Sequence, residues 1–176
     1  MFKIILLVFV VLLGGVLSYA ALQPDAFRVE RSTRIQAPPD KVFGLINDLQ
    51  AFRRWSPYEL KDPAMKRSFS GPQSGPGAHY AWEGGREIGQ GSMTITHATP
   101  DSQVAMDLDF IKPFEAHNKV EFTLAADGDE TRVTWAIFGP APFMSKLMGL
   151  LFDMDKMVGA DFEAGLARLK ASAEAA

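Results

Sequence analysis

The chain has 176 residues, a formal net charge of −3 and no cysteine. Disulfides, thiol nucleophiles and thiolate metal sites are therefore excluded, and the acidic balance argues against nucleic acid as a partner. A hydrophobic fraction of 47%, with 13 Phe, 3 Trp and 8 Met, suits one domain with a sizeable core, and the aromatic and thioether groups suit an adaptable pocket as well.

The run Ile4 to Leu22 carries no charge. As a helix it spans about 28 Å, roughly the hydrocarbon thickness of a bilayer. Residues 1–22 thus read as a membrane anchor or a signal peptide. Ser18-Tyr19-Ala20 offers small residues for a signal peptidase, whereas the length and the single basic Lys3 fit an uncleaved anchor. The expected location is the membrane, through residues 4–22, with the domain outside the cytoplasm; cleavage would instead leave a secreted or periplasmic protein. Residues 23–26 form a linker and residues 27–176 the domain.

Phe27 to Ile35 predicts a strand with Val29, Thr33 and Ile35 on one side and Glu30, Ser32 and Arg34 on the other. Arg31 falls on the apolar side, as a rim residue or as an anchor for a ligand carboxylate. Ala37-Pro38-Pro39-Asp40 ends the strand and starts a helix with Val42, Phe43, Leu45, Ile46 and Leu49 on its apolar face. A second short helical turn follows through Trp55, and Gly71 to Gly77 punctuates the chain after a short strand, Met65 to Ser70.

From Ala78 the period is two. Tyr80 and Trp82, then Met93, Ile95 and His97, then Val104 to Phe110, Val120 to Leu124 and Val133 to Ile137 alternate with polar residues, with Gly84-Gly85 and Asp127-Gly128-Asp129 as turns. Asp153 to Glu174 predicts one long amphipathic helix. Asp153 is its N-cap, and Met154, Val158, Phe162, Leu166 and Leu169 share a face with Gly165. The fold class is α+β: a curved antiparallel sheet of about seven strands around a long C-terminal helix, with two short helices after the first strand. Gly165, costly inside a helix by roughly 1 kcal/mol, suggests a close approach there by the sheet or by a ligand.

Ala37-Pro38-Pro39-Asp40-Lys41-Val42-Phe43, Trp55-Ser56-Pro57-Tyr58, Gly89 to Ile95, Asp109 to Phe114, Thr131 to Trp135 and the helix from Asp153, in that order, resemble the SRPBCC (START-like) superfamily. The likeness is greatest to its polyketide cyclase/dehydrase and lipid transport branch and covers the soluble part. The resemblance implies a helix-grip fold with a largely apolar cavity that binds hydrophobic small molecules, lipids or polyketides.

Ligand-lining candidates by position and facing are Trp55, Tyr58, Tyr80, Trp82, Met93, Phe110, Trp135, Phe143, Met144, Met148, Phe162 and Gly165. Pro140 to Phe152 carries more apolar residues than one helical face needs, as a lid or a membrane contact would. For chemistry, no catalytic constellation is evident; of His79, His97 and His117, His97 is the best general acid/base candidate, because it shares an apparent inward face with Met93 and Ile95. No His/Asp/Glu spacing suggests a metal, and no cofactor is expected. The expected function is a membrane-anchored binding protein for a hydrophobic small molecule or lipid. The alternatives are a polyketide cyclase/dehydratase-like enzyme using the same cavity and a non-catalytic protein-interaction module.

Overall fold

A computed structural model describes residues 1–175. Helix α1 (Phe2–Ala21) carries one charge, Lys3, and is otherwise strongly apolar, with a mean hydropathy of 2.7 in its most apolar window. It is the one helix among the described residues that is long and apolar enough to cross a membrane. Its C-terminal end is fastened to the rest of the chain. Ala20 is buried, the Asp25 carbonyl accepts from the Ala141 N–H at 2.8 Å, and the Asp25 carboxylate accepts from Lys146 Nζ at 2.5 Å.

Strand β1 (Ala26–Ile35) leads into α2 (Pro39–Asn47) through Pro38, which is held extended, and Pro39 at the first helical position. Asp48 then caps α3 (Leu49–Phe52), accepting from the N–H groups of Gln50 and Ala51. The two short helices expected after the first strand are joined by one further turn, α4 (Tyr58–Lys61). Strands β2 (Lys66–Ser70), β3 (His79–Glu83), β4 (Gln90–Thr99), β5 (Gln103–Lys112), β6 (Ala116–Asp127) and β7 (Glu130–Pro140) form an antiparallel meander. β1 closes onto β7, giving the seven-stranded order β1-β7-β6-β5-β4-β3-β2.

The chain ends in α5 (Phe143–Gly149) and the long α6 (Met154–Glu174), which Asp153 caps by accepting from the Lys156 N–H at 3.1 Å. Helix α6 covers the concave face, with Phe162, Leu166, Leu169 and Ala173 buried against the sheet. Lys170 lies before the last turn, and its Nζ donates to the Arg34 carbonyl at 2.8 Å, tying the helix to β1.

Along β1, β4, β5, β6 and β7 the inward residues divide into two levels. Ile35, Ile95, Val104, Met106, Phe122, Leu124 and Val133 pack with Val42, Ile46 and Leu49 of the short helices and with Leu166 and Leu169 into a continuous core. Trp135 marks the division: it stacks on Phe162 at 4.0 Å between ring centroids and on Phe122 at 5.1 Å, and Trp55 meets it edge-on at 5.5 Å. Such pairs add about 0.5–1.5 kcal/mol each beyond burial, so this aromatic layer is a rigid floor.

Candidate functional site

Beyond the aromatic floor, toward the end of the sheet where β1 begins and β7 ends, helix and sheet part around a cavity of about 230 Å³. Its walls continue the same inward rows: Phe27 on β1, Tyr80 and Trp82 on β3, Met93 on β4, Leu108 and Phe110 on β5, Asn118 and Val120 on β6, Trp135 and Ile137 on β7. Met154, Val158 and Phe162 supply the helix side. Strand alternation and the 3.6-residue helical period therefore aim both surfaces at one space.

Polar groups on the wall are few. Glu59, on α4, is the best connected: its Oε1 accepts from the Tyr80 hydroxyl and its Oε2 from Arg67 Nε, both at 2.8 Å, with Arg53 Nε 3.7 Å away. Its side chain is nearly buried, so a carboxylate, a phenol and a guanidinium form a satisfied knot against an apolar space. Burial, then the Glu59 hydrogen bond, raises the Tyr80 phenol above its ordinary range, which keeps it protonated as a donor. Burial also raises Tyr58, helped by the charge of Asp161. The Trp135 indole N–H is the only buried side-chain donor without a partner among the described residues.

Of the residues expected from sequence to line a pocket, Tyr58, Tyr80, Trp82, Met93, Phe110, Trp135 and Phe162 are brought together on its wall. Trp55 lies in the aromatic layer instead, fully buried, with its indole N–H donating to the Leu45 carbonyl at 2.9 Å. Phe143 and Met144, with Met148, stand on α5, largely exposed and away from the cavity. Gly165 does not open space. A Cβ there would come within 2.7 Å of Trp135 and 2.9 Å of Pro57, so this glycine answers a tight helix–sheet contact, the other cause of close approach.

His97 also departs from expectation. The β4–β5 register shifts between Ile95 and His97, where Thr96 is the extra residue of a bulge, and a bulge reverses which side chains face inward. His97 is therefore exposed, with its Nε2 2.9 Å from the Thr99 hydroxyl on the solvent side. Arg31 is committed within the chain. Its five N–H groups reach the carboxylates of Asp155 and Glu163 and the carbonyls of Glu30 and Asp155. A guanidinium has five donors, so none is left for a ligand carboxylate. A Cβ at Gly159 would run into this guanidinium, which is why α6 carries a second glycine.

Sequence reading missed Glu59, Asn118 and the apolar liners Phe27, Phe52, Met65, Ile88, Leu108 and Val120. Inward alternation marks Phe27, Leu108, Asn118 and Val120, whereas nothing local marks Glu59, whose partners lie on β2 and β3.

A curved seven-stranded antiparallel sheet closed by a C-terminal helix, with an apolar cavity between them, defines the helix-grip class of the SRPBCC superfamily. Within it, the chain belongs to the polyketide cyclase/dehydrase and lipid transport family, whose model matches residues 26–174. No curated protein matches the sequence. Among solved structures, the chain is similar to protein CV1439 from Chromobacterium violaceum (14% identity, TM-score 0.60, covering 88% of this chain and 100% of that one). It is also similar to DynU16, a protein of the dynemicin biosynthetic locus (17%, 0.59, 87% and 48%). Ginseng major latex-like protein 151 from Panax ginseng shares the fold as well (10%, 0.58, 86% and 99%). At these identities the likeness is one of fold.

Proposed function

We propose that the protein is a membrane-tethered binding domain for a small hydrophobic molecule, held between the sheet and the first half of α6. The observation that carries this reading is the cavity of about 230 Å³, lined almost wholly by apolar and aromatic side chains. An engineered apolar cavity of about 150 Å³ stays dry and takes benzene, so an apolar guest suits this space better than water. Pockets for drug-sized ligands run to about 300–1,000 Å³; a single acyl chain or a compound of one or two rings fits the smaller volume. Glu59 and the Tyr80 hydroxyl oxygen, which keep lone pairs on the cavity wall, would accept from a hydroxyl on the guest, whereas Arg67 lies behind them with its N–H groups given to Glu59 and to the carbonyls of Asp62, Pro63 and Met65. α1 supplies the tether, with the domain outside the cytoplasm.

Native mass spectrometry of the full chain, extracted with its lipids, tests the reading. A bound mass of single-chain or small-polyketide size should accompany wild type and be lost from Val120→Phe, which fills the cavity from β6. A wild type that carries no such mass, and a Val120→Phe variant that binds added cis-parinaric acid as well as wild type does, would sink the proposal.

A second reading, an enzyme of the cyclase or dehydratase kind, is favoured by the hydrogen-bonded Glu59–Tyr80 pair on the cavity wall, because proton transfer in a dry site needs such a donor and acceptor. Tyr80→Phe should then abolish turnover of a polyketide substrate while leaving its binding within a few-fold. Loss of binding in parallel with turnover would return Tyr80 to a binding role.

A further inference from the structure

We infer that the cavity mouth is docked on the lipid bilayer into which α1 inserts, so that guests pass between bilayer and cavity without crossing water. The inference rests on the proposed tether and binding cavity.

Three observations meet at one end of the sheet. The strand register places the start of β1 opposite the end of β7 (Ala26 opposite Pro140), the end of β7 beside the start of β6, and the start of β6 opposite the end of β5 (Ala116 opposite Phe110). The anchor, the β5–β6 turn and α5 therefore share this end. The cavity opens here: the deep liners Phe52, Met65, Met93, Leu108 and Trp135 are buried, whereas the wall residues Met154, at 49% exposure, and Glu87 reach the surface.

At this same end of the sheet, large apolar side chains stand in solvent. Leu151 is 75% exposed and Phe114, at the tip of the β5–β6 turn, 81%, with Ile111, Met144, Phe152 and Met157 about half exposed or more. Large exposed apolar side chains gathered at one end of a domain mark a contact site. What covers it is set by its neighbour. α5 packs on α1, and only Leu22 to Asp25 separate the anchor helix from β1, with Asp25 pinned to Ala141 and Lys146. A bilayer that holds α1 thus lies within a few residues of α5 and the segment after it. The nearby charges are mixed in sign, with Lys112, Lys146 and Lys156 among Asp25, Glu115 and Asp153. Docking is accordingly by insertion of apolar side chains rather than by attraction to anionic headgroups.

The chain has no native cysteine, so single cysteines can be labelled without background. Full-length protein carrying an environment-sensitive fluorophore at Phe114→Cys, Leu151→Cys or Met157→Cys is reconstituted into phosphatidylcholine vesicles, with and without phosphatidylglycerol. Controls carry it at Ser102→Cys and Asp129→Cys, in the turns at the opposite end of the sheet. The expected result is a blue shift at 114, 151 and 157, quenching by lipid-borne nitroxide, loss of quenching by aqueous iodide, and no dependence on phosphatidylglycerol; the controls should behave oppositely. Iodide quenching at 114 and 151 equal to the controls overturns the inference, because the domain then stands off the membrane. Protection from iodide without quenching by lipid nitroxide also overturns it, since a protein surface, such as a second copy, then covers the patch. The label reports contact whether or not the cavity is filled. Lipid quenching with no bound guest would therefore fault the binding reading alone, and loss of the protein from carbonate-washed vesicles would fault the tether.

Discussion

The two halves of α6 meet the same sheet in different ways. Its second half, from Phe162 through Gly165, Leu166, Leu169 and Ala173, packs so closely that the helix must drop a side chain to let Trp135 and Pro57 in. Its first half, Met154 to Val158, stands away from the sheet across the cavity and is held by charge: Arg31 reaches up from β1 to Asp155 and Glu163, each at 2.9 Å. One end of the groove is closed by dispersion and burial; at the other, ion pairs fasten the helix to β1 beside the cavity. A cavity can persist in a small domain when a rigid aromatic layer separates it from a core that carries most of the stability.

The closed half should respond most strongly to substitution. Trp55→Ala removes a fully buried indole from the aromatic layer and is expected to cost about 3–5 kcal/mol in urea unfolding; a loss below about 1 kcal/mol, with guest binding gone, would move Trp55 back to the cavity wall. Next comes Gly165→Leu. With Pro57 rigid and Trp135 wedged between Phe162 and Phe122, overpacking should destabilise by about 1–3 kcal/mol. Even Gly165→Ala should be net destabilising, although helix propensity alone favours alanine by roughly 1 kcal/mol. At the open half, Val158→Leu adds volume where space exists and should change stability by less than about 1.5 kcal/mol. Equal penalties at 158 and 165 would erase the distinction between the halves.

The fold was legible because period and punctuation agree: the two-residue alternation from Ala78 onward, the proline start of α2 and the Asp153 cap each specify an element locally. The cavity's apolar wall was legible for the same reason, since inward alternation picks out Tyr80, Trp82, Met93 and Phe110. Three features were not. The bulge at Thr96 shifts register by one residue and turns His97 outward, and nothing in the polar/apolar pattern announces it. Gly165 signals close approach without saying by what, because a glycine under a ligand and a glycine under a tryptophan look alike in sequence. Glu59 finds Arg67 and Tyr80 only once the two connections, residues 62–65 and 71–78, have brought α4 together with β2 and β3.

The ion-pair strap can be tested through pH. Its hydrogen bonds to Arg31, the largest cause, hold the Asp155 carboxyl below the usual carboxylate range. A depressed folded value contributes stability that is present above the unfolded value near 3.9 and is lost as pH falls below it toward the folded one. Tm of the wild type should therefore decline through this acidic window, and Arg31→Met should flatten part of that decline while leaving Tm at neutral pH less affected than Gly165→Leu does. Asp153, lowered by its bond to the Lys156 N–H, keeps its own share of the slope in the variant. An unchanged slope would mean that the strap is solvated and that packing alone holds the first half of α6.

The smallest effect sits on the outer face of the open end. His117, at the start of β6, places Nδ1 2.6 Å from Asp109 on β5 and Nε2 3.4 Å from Glu115, and the Asp109 hydrogen bond, the largest cause, raises it above its ordinary value. The sign is opposite to that of the strap. A raised folded value contributes stability that is full below the unfolded value near 6.5 and fades as pH climbs through the folded one. Both groups are exposed, so a titration, rather than an unfolding midpoint, is the suitable readout. In an NMR titration of the imidazole Cε1–H, Asp109→Asn should lower the His117 midpoint toward the ordinary value, with Glu115→Gln lowering it less. Because this pair faces away from the cavity, the wild-type midpoint should be the same with and without a bound guest. A midpoint that moves when a guest binds would make the β5–β6 turn part of the mouth's own machinery rather than a fixed rim beside it.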